Sequence, residues 1–458
     1  MRKKALLALM MALTLLLSSC ALIVKDEAVD NATVIIRMGD QEINKEKVKE
    51  EVENQLDSAA YMNQIYGRSF DRTDPEVISQ AQDAAVEALK RDLALSAKAK
   101  ELGLDKLTDE ELETVKTKAQ EGYDYALDYV KQYQLENTEG MDEEALAKAA
   151  ADKLTEMKIS LDTYTEGETK TIIDDKLREY AIKDVTVSDD EIKADYDAKV
   201  EADKTSYENN AGSWATAANN GTTLYYTPAG IRRVKQILTK FKDEDQTAIN
   251  DANTKLTEAN TARTAAQAKI DSANEHLKTE GISEEDKAAE EANLSAAQQE
   301  LEEADKALID AGKAVDDATN KAFENIDADT DAILAALDAG EDWQKLMDEK
   351  NQDTGMKNNE KGYAVSADMT SFDKAFVEAA MALEKIGDHS GKIKGTSYGY
   401  YIIRYESDEK EGPADLETVK ETISSALLKT KQNNTYNDTV AQWVEEAGIK
   451  VDLNALKN

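Results

Sequence analysis

Thr396-Ser397-Tyr398-Gly399-Tyr400-Tyr401-Ile402-Ile403-Arg404-Tyr405 is the stretch on which the fold turns. It reads as a strand that closes a unit. Upstream lie Gly362-Tyr363-Ala364-Val365, then Phe372 to Leu383, then Gly387-Asp388, so the pieces of that unit follow one another without interruption. Its opening piece lies farther back. Ile231 to Lys240 alternates like a strand, yet the matching second half resumes only after about ninety residues. Something has been inserted.

The insert has its own pattern. Ile249, Leu256, Arg263, Ile270 and Leu277 recur every seven residues, with Ala252, Ala259, Ala266 and Ala273 three positions later in each repeat. A second arm repeats it: Leu294, Leu301, Leu308 and Val315 form the seven-residue series, and Ala297, Ala304, Ala311 and Ala318 hold the offset. Between the arms, Gly281-Ile282-Ser283-Glu284-Glu285-Asp286 suits a turn and a new helix cap. The pattern predicts an antiparallel coiled-coil hairpin over 243–325, its alanines letting the helices approach closely, each arm on the order of 50 Å long at 1.5 Å per residue.

The chain begins Met1-Arg2-Lys3-Lys4, continues with an apolar run from Ala5 to Leu17 and ends it at Leu17-Ser18-Ser19-Cys20. This reads as a secretory signal over 1–19 with a lipobox. A spanning helix needs about 20 apolar residues to cross ~30 Å of hydrocarbon, so a signal core is the better reading. Cys20, the single cysteine of the sequence, is the expected lipidation site, which excludes an internal disulfide. One acyl chain holds a protein only marginally, at about 0.8 kcal/mol per buried methylene, so durable anchoring calls for two. The expectation is a protein lipid-anchored to the cell membrane on its extracytoplasmic face. Removing residues 1–19, with three cations and no acids, takes the net charge from −38 to −41. Such a surface repels nucleic-acid phosphate and anionic headgroups, which excludes a nucleic-acid role.

Residues 20–32 read as a polar tether, and 33–43 as two short extended segments around Gly39-Asp40. Helices are predicted to start near Asn44, at Asp74-Pro75, and at the capping boxes Thr108-Asp109-Glu110-Glu111 and Ser188-Asp189-Asp190-Glu191, with Gly103 as a stop. A helical domain with its linker then occupies 33–230, the Asn-, Gly-, Ser- and Thr-rich segment from Asn209 to Gly230 being the less ordered linker. Tyr125, Tyr129 and Tyr133 lie four apart beside Tyr123, and read as a packing face, with a surface for unfolded clients as the alternative. Asp327-Ala328-Asp329-Thr330-Asp331 begins like a calcium loop but lacks its glycine and closing glutamate, so it reads as a helix cap before Ile333. Residues 409–458 supply a last amphipathic helix and a short strand, Gly448 to Leu453, able to pair with 33–43. The fold class is therefore α+β, mostly helical.

The layout resembles the PrsA and SurA group of exported foldases: signal, helical chaperone domain, parvulin-like α/β domain over 231–408, and a C-terminal helix that returns to the first domain. The hairpin is not a standard part of that group. The resemblance implies a peptidyl-prolyl cis-trans isomerase, which rotates an X–Pro bond whose barrier is ~18–20 kcal/mol. No cofactor or nucleophile is required; a site that favours the twisted amide and holds the proline ring suffices. In the family two histidines flank an acid or thiol. Here Gln236 stands at the first histidine's place and Tyr401 at the second's, and Glu360 falls where the acid would lie, behind Asn358 and Asn359 instead of two glycines. Phe376, Met381 and Thr396 match the substrate-holding positions. His276 lies in the hairpin and His389 in a loop, neither at a family position, and two histidines with one lipidated cysteine leave no zinc site.

Three readings stay open: a working isomerase that speeds folding of exported proteins, a holding chaperone whose parvulin fold has lost most catalysis, and an extracellular scaffold that binds partners through the coiled-coil arm. Clients would be unfolded or partly folded exported proteins with X–Pro bonds. Self-association into a dimer is left open.

Overall fold

The computed structural model describes residues 27–135, 138 and 140–457. The signal segment, Cys20 and most of the tether lie outside the described residues. The end of the tether is a short helix, Glu27–Asn31, and Asp30 pairs with the buried Lys45 ammonium at 3.1 Å. Contacts divide the chain into one compact unit up to Val187 together with Ser425–Asn458, and a second over Ser188–Ser424. The division falls ahead of the 230/231 boundary read from composition.

In the first unit, local signals set the helix ends. Asn44 caps Lys45–Ile65 through Lys47 N, Asp74 caps Pro75–Leu102, and Gly103 ends that helix in the left-handed region. Thr108 and Glu111 form a reciprocal capping box at the start of Asp109–Tyr133. Val34–Met38 sits between Gln41–Asn44 and Lys450–Val451 in a three-stranded antiparallel sheet, with Ile36 opposite Val451. Ile35, Ile36, Val48, Leu56, Ala85 and Leu89 fill the core beneath it. Tyr125, Tyr129 and Tyr133 depart from the packing expectation, being 74%, 45% and 65% exposed. The buried stripe of that helix runs through Val115, Ala119 and Val130 instead.

In the second unit, a four-stranded antiparallel sheet has the order Tyr363–Val365, Arg232–Lys240, Gly399–Asp408, Ile393–Lys394. The side chains of a strand alternate between faces, so the central strand sends Val234, Gln236 and Leu238 one way and Ile237 the other. On the first face Val234 and Leu238 pack with Tyr401, Ile403 and Phe376 of the helix Lys374–Ala382. On the second, Ile237 and Ile402 pack with Ile333, Leu337, Trp343 and Leu346.

The segment read as a less ordered linker contains a helix, Ala211–Asn219. Asn210 caps it, and Trp214, buried in the core, donates from Nε1 to Tyr226 O at 2.7 Å. One well-placed indole outweighs the loop-like composition around it.

The insert is a hairpin of Asp243–His276 and Glu284–Asp338. Ala252, Ala259, Ala266 and Ala273 are buried against the other arm, as are Ala297 and Ala304. Antiparallel register shows in the ion pairs Arg263–Asp305, Lys269–Glu300 and His276–Glu290, which step forward on one arm and back on the other. The expected cap before Ile333 is absent, because the second arm runs on unbroken to Asp338. No proline or glycine interrupts it there, and Thr330, fully buried, returns its hydroxyl to Ile326 O at 2.9 Å. Asp327 and Asp331 instead grip the Lys392 ammonium at 2.7 and 2.6 Å. The hairpin base is seated on the sheet by Phe241, Phe323, Ile326 and Tyr400.

Candidate functional site

A groove of about 680 Å³ opens on the Gln236 face of the sheet. Its floor comes from the two central strands. Leu238 lies directly opposite Tyr401 and Gln236 opposite Ile403, so Gln236 and Tyr401 are diagonal neighbours on one face. The wall is the helix Lys374–Ala382, whose Phe376 meets the Tyr401 ring edge-on at 5.3 Å. Phe372 and Tyr363 continue the edge-to-face series at 5.6 and 5.3 Å. Such contacts hold rings in defined orientations, each adding about 0.5–1.5 kcal/mol beyond burial.

Two devices fix that wall. Arg232 reaches from the central strand to cap the helix end, donating from Nη1 to Met381 O at 2.9 Å and to Leu383 O at 2.8 Å, where the carbonyl dipoles favour a cation. At the other end Asp373 accepts from Ala375 N and from the Thr396 hydroxyl at 3.0 Å, which ties the Thr396 loop to the helix start. Gly399 turns that loop with φ of +138°, a region that favours glycine.

The polar centre is a carboxylate. Asp353 accepts from Gln236 Nε2 at 2.7 Å and from the Tyr363 hydroxyl at 2.8 Å on one oxygen, and from Gly355 N at 2.8 Å on the other. Gln236 is 6% exposed, and its Oε1 has no hydrogen-bond partner. Burial, ahead of the nearby Asp373, Tyr398 and Asp353, pushes the Tyr401 phenol up to about 12. Burial, then the bond to Asp353, holds the Tyr363 phenol well above its ordinary value. Both are neutral donors at physiological pH. Lys240, Thr354, Ser397 and Tyr398 complete the rim.

Of the residues singled out in the sequence, Gln236, Tyr401, Phe376 and Thr396 line this one groove. Glu360 does not. It is exposed and lines a neighbouring cavity of about 400 Å³ with Lys235, Met347 and Met356. Met381 is partly buried against the core behind the wall rather than in the groove. Sequence reasoning missed Asp353, whose signal was the Asp-x-Gly turn, Asp353-Thr354-Gly355, in which the side chain bonds the backbone two residues on. His389 stacks beside Trp343 and lies 3.8 Å from Asp338, away from the groove, and no histidine or cysteine lines it among the described residues. Nor, among these residues, is any group of acids, histidines and cysteines arranged to hold a metal ion. No helix among them is long and apolar enough to cross a membrane.

No family model matches the chain. It is 35% identical to the foldase protein PrsA of Clostridium botulinum, strain Langeland, over 121 residues, which are 26% of this chain and 35% of that protein. It is 31% identical to the PrsA of Clostridium tetani over 118 residues, 26% of this chain and 34% of the relative. The matches thus span about a third of the length of these relatives. Among solved structures, a SurA-like chaperone of Campylobacter jejuni aligns over 72% of this chain and 94% of its own at 15% identity and a TM-score of 0.25. PrsA of Streptococcus pneumoniae aligns over 93% and 97% at 13% identity and a TM-score of 0.20. By sequence the chain is PrsA-like over the matched stretch.

Proposed function

We propose that the chain is an extracytoplasmic foldase of exported proteins, held to the membrane through a lipid on Cys20, in which the Gln236–Tyr401 groove receives prolyl segments of unfolded clients. One observation carries this reading: the aromatic rings of Phe372, Phe376 and Tyr401 and the partly buried carboxylate of Asp353 line one groove of about 680 Å³. Proline has a ring to bury and no N–H to satisfy, so an aromatic slot suits it. The kinship to PrsA foldases supports the same reading.

Rotation about the X–Pro bond removes amide resonance and leaves the prolyl nitrogen pyramidal. A site accelerates it to the extent that it binds that geometry better than the planar amide. Here the wall would hold the ring while the neutral Tyr401 hydroxyl offers a donor. Gln236 cannot exchange a proton, and Asp353 is committed to three donors. The groove is thus better furnished for binding than for turnover, which supports a holding role with weak isomerase activity.

The test is a protease-coupled isomerisation assay beside an aggregation assay on an unfolded client. Expected are suppression of aggregation and slow isomerisation that Phe376→Ala abolishes. Turnover at the rate of histidine-bearing parvulins would overturn the weak-site reading. Failure to suppress aggregation would remove the chaperone role.

A further inference from the structure

Gln236, 6% exposed, carries a buried acceptor, Oε1, that has no hydrogen-bond partner. Its amide orientation follows from the network: a flipped side chain would set Oε1 against the Asp353 carboxylate, so the nitrogen faces Asp353 and the oxygen is left without a donor. A buried acceptor in that state destabilises the empty groove and rewards any ligand that brings a donor. Donating to a carboxylate also polarises the amide, which strengthens its oxygen as an acceptor. Oε1 is closed to bulk water. Gln236 lines the groove, so a ligand seated there brings its donor to Oε1 as the exposed side chains of Ser397 and Tyr398 at the mouth move aside, while Thr396 stays tied to Asp373.

We infer that Gln236 Oε1 accepts the backbone N–H of the residue that follows proline in a bound X-Pro-Y peptide. The assignment rests on the prolyl-groove reading above and names the second contact of that same site. Proline itself has no N–H. The two nearest backbone donors are those of the residues before and after it, each three bonds from the prolyl nitrogen. Rotation of the X–Pro bond swings the preceding N–H relative to the ring but leaves the following one fixed. A grip on the following N–H therefore holds in cis, in trans and between them. Asp353, which orients the amide, is a positioning residue in this scheme.

The experiment is calorimetric titration of the full chain with acetyl-Ala-Ala-Pro-Phe-amide, with the same peptide N-methylated at Phe, with one N-methylated at the Ala before Pro, and with Ala in place of Pro. Wild type should lose roughly 5- to 10-fold in affinity on methylation at Phe, the worth of one hydrogen bond, and much less on methylation at Ala. Gln236→Met, similar in length and without the acceptor, should bind the parent and the Phe-methylated peptide equally. Proline-dependent binding that ignores methylation at Phe, or falls only with methylation at Ala, overturns the assignment and leaves the groove reading standing. Equal binding of the Pro and Ala peptides overturns both. The ligand-side comparison needs no variant, so it stays decisive even if Gln236→Met folds poorly.

Discussion

Removing the carboxylate at the centre of the groove should cost more than any surface substitution in the chain. In Asp353→Ala, three donors lose one acceptor group: Gln236 Nε2, the Tyr363 hydroxyl and Gly355 N. Their environments differ. Tyr363 and Gly355 are only partly buried and recover a bond to water, so each contributes about 0.5–1.5 kcal/mol. Gln236 is sealed, and its nitrogen joins its oxygen as an orphan, at a cost of about 1–3 kcal/mol. Together the change should destabilise the sheet unit by about 4 kcal/mol, moving its urea midpoint down by more than about 1 M at slopes of about 1–3 kcal/mol per M. Trp214 and Trp343, both buried in that unit, report the transition by fluorescence. Asp353→Asn keeps an acceptor for Gln236 and should recover about half of the loss. A midpoint for Asp353→Ala within 0.3 M of wild type would show that the network contributes nothing to stability and refute the description of Asp353 as its hub.

The hairpin should be separable. Replacing residues 250–318 with a short Gly-Ser link joins arms already held together by Asn325 Nδ2 on both Asp245 oxygens at 2.9 Å, so circular dichroism should show lost helix and the sheet unit's urea midpoint should stay put. Loss of cooperative unfolding would mean that the arms stabilise the sheet. A Cβ at Gly395 would overlap the Tyr401 ring, so Gly395→Ala should displace that ring and lower prolyl-peptide affinity at least about 10-fold, measured calorimetrically, with secondary structure unchanged. Undiminished binding would place Tyr401 outside the contact. Alkaline stability should also depend on Tyr401. Below the ordinary phenol value of 10.0 both folded and unfolded chains keep the proton; between there and about 12 the unfolded chain ionises first, so stability falls as pH rises through that window. Urea melts at about pH 9 and 11.5 should show a smaller loss in Tyr401→Phe than in wild type, and an equal loss would contradict burial of a neutral phenol.

What the sequence discloses depends on how far each interaction reaches along the chain. The hairpin was legible because its evidence is periodic: a small residue at every seventh position can do little else than pack against a neighbouring helix, and Ala252 to Ala273 are buried as that demands. Caps were legible because they act within three residues, as Thr108 and Ser188 do. The strands around Gln236 and Tyr401 were legible as strands, but that both residues share one face depends on the register between the strands, Leu238 opposite Tyr401, which only the structure supplies. The carboxylate was not, and the reason is physical. Between Lys350 and Tyr363 the chain has no repeating period, only a turn of 3-10 helix at Gly355–Asn358, so matching the family's two glycines and acid onto Asn358, Asn359 and Glu360 has no register to rely on. That match pointed to Glu360, whereas the acid that enters the groove is seven residues earlier, carried there by side chains that accept from the backbone of the central strand: Asn351 Oδ1 from Leu238 N at 2.9 Å and Gln352 Oε1 from Lys240 N at 2.6 Å. Those two bonds dock the irregular loop along the strand edge and deliver Asp353 to Gln236. Replacing Asn351 and Gln352 by Ala should therefore weaken prolyl-peptide binding without touching a groove side chain, because what positions the acid is the loop's attachment and not its sequence distance from the next strand.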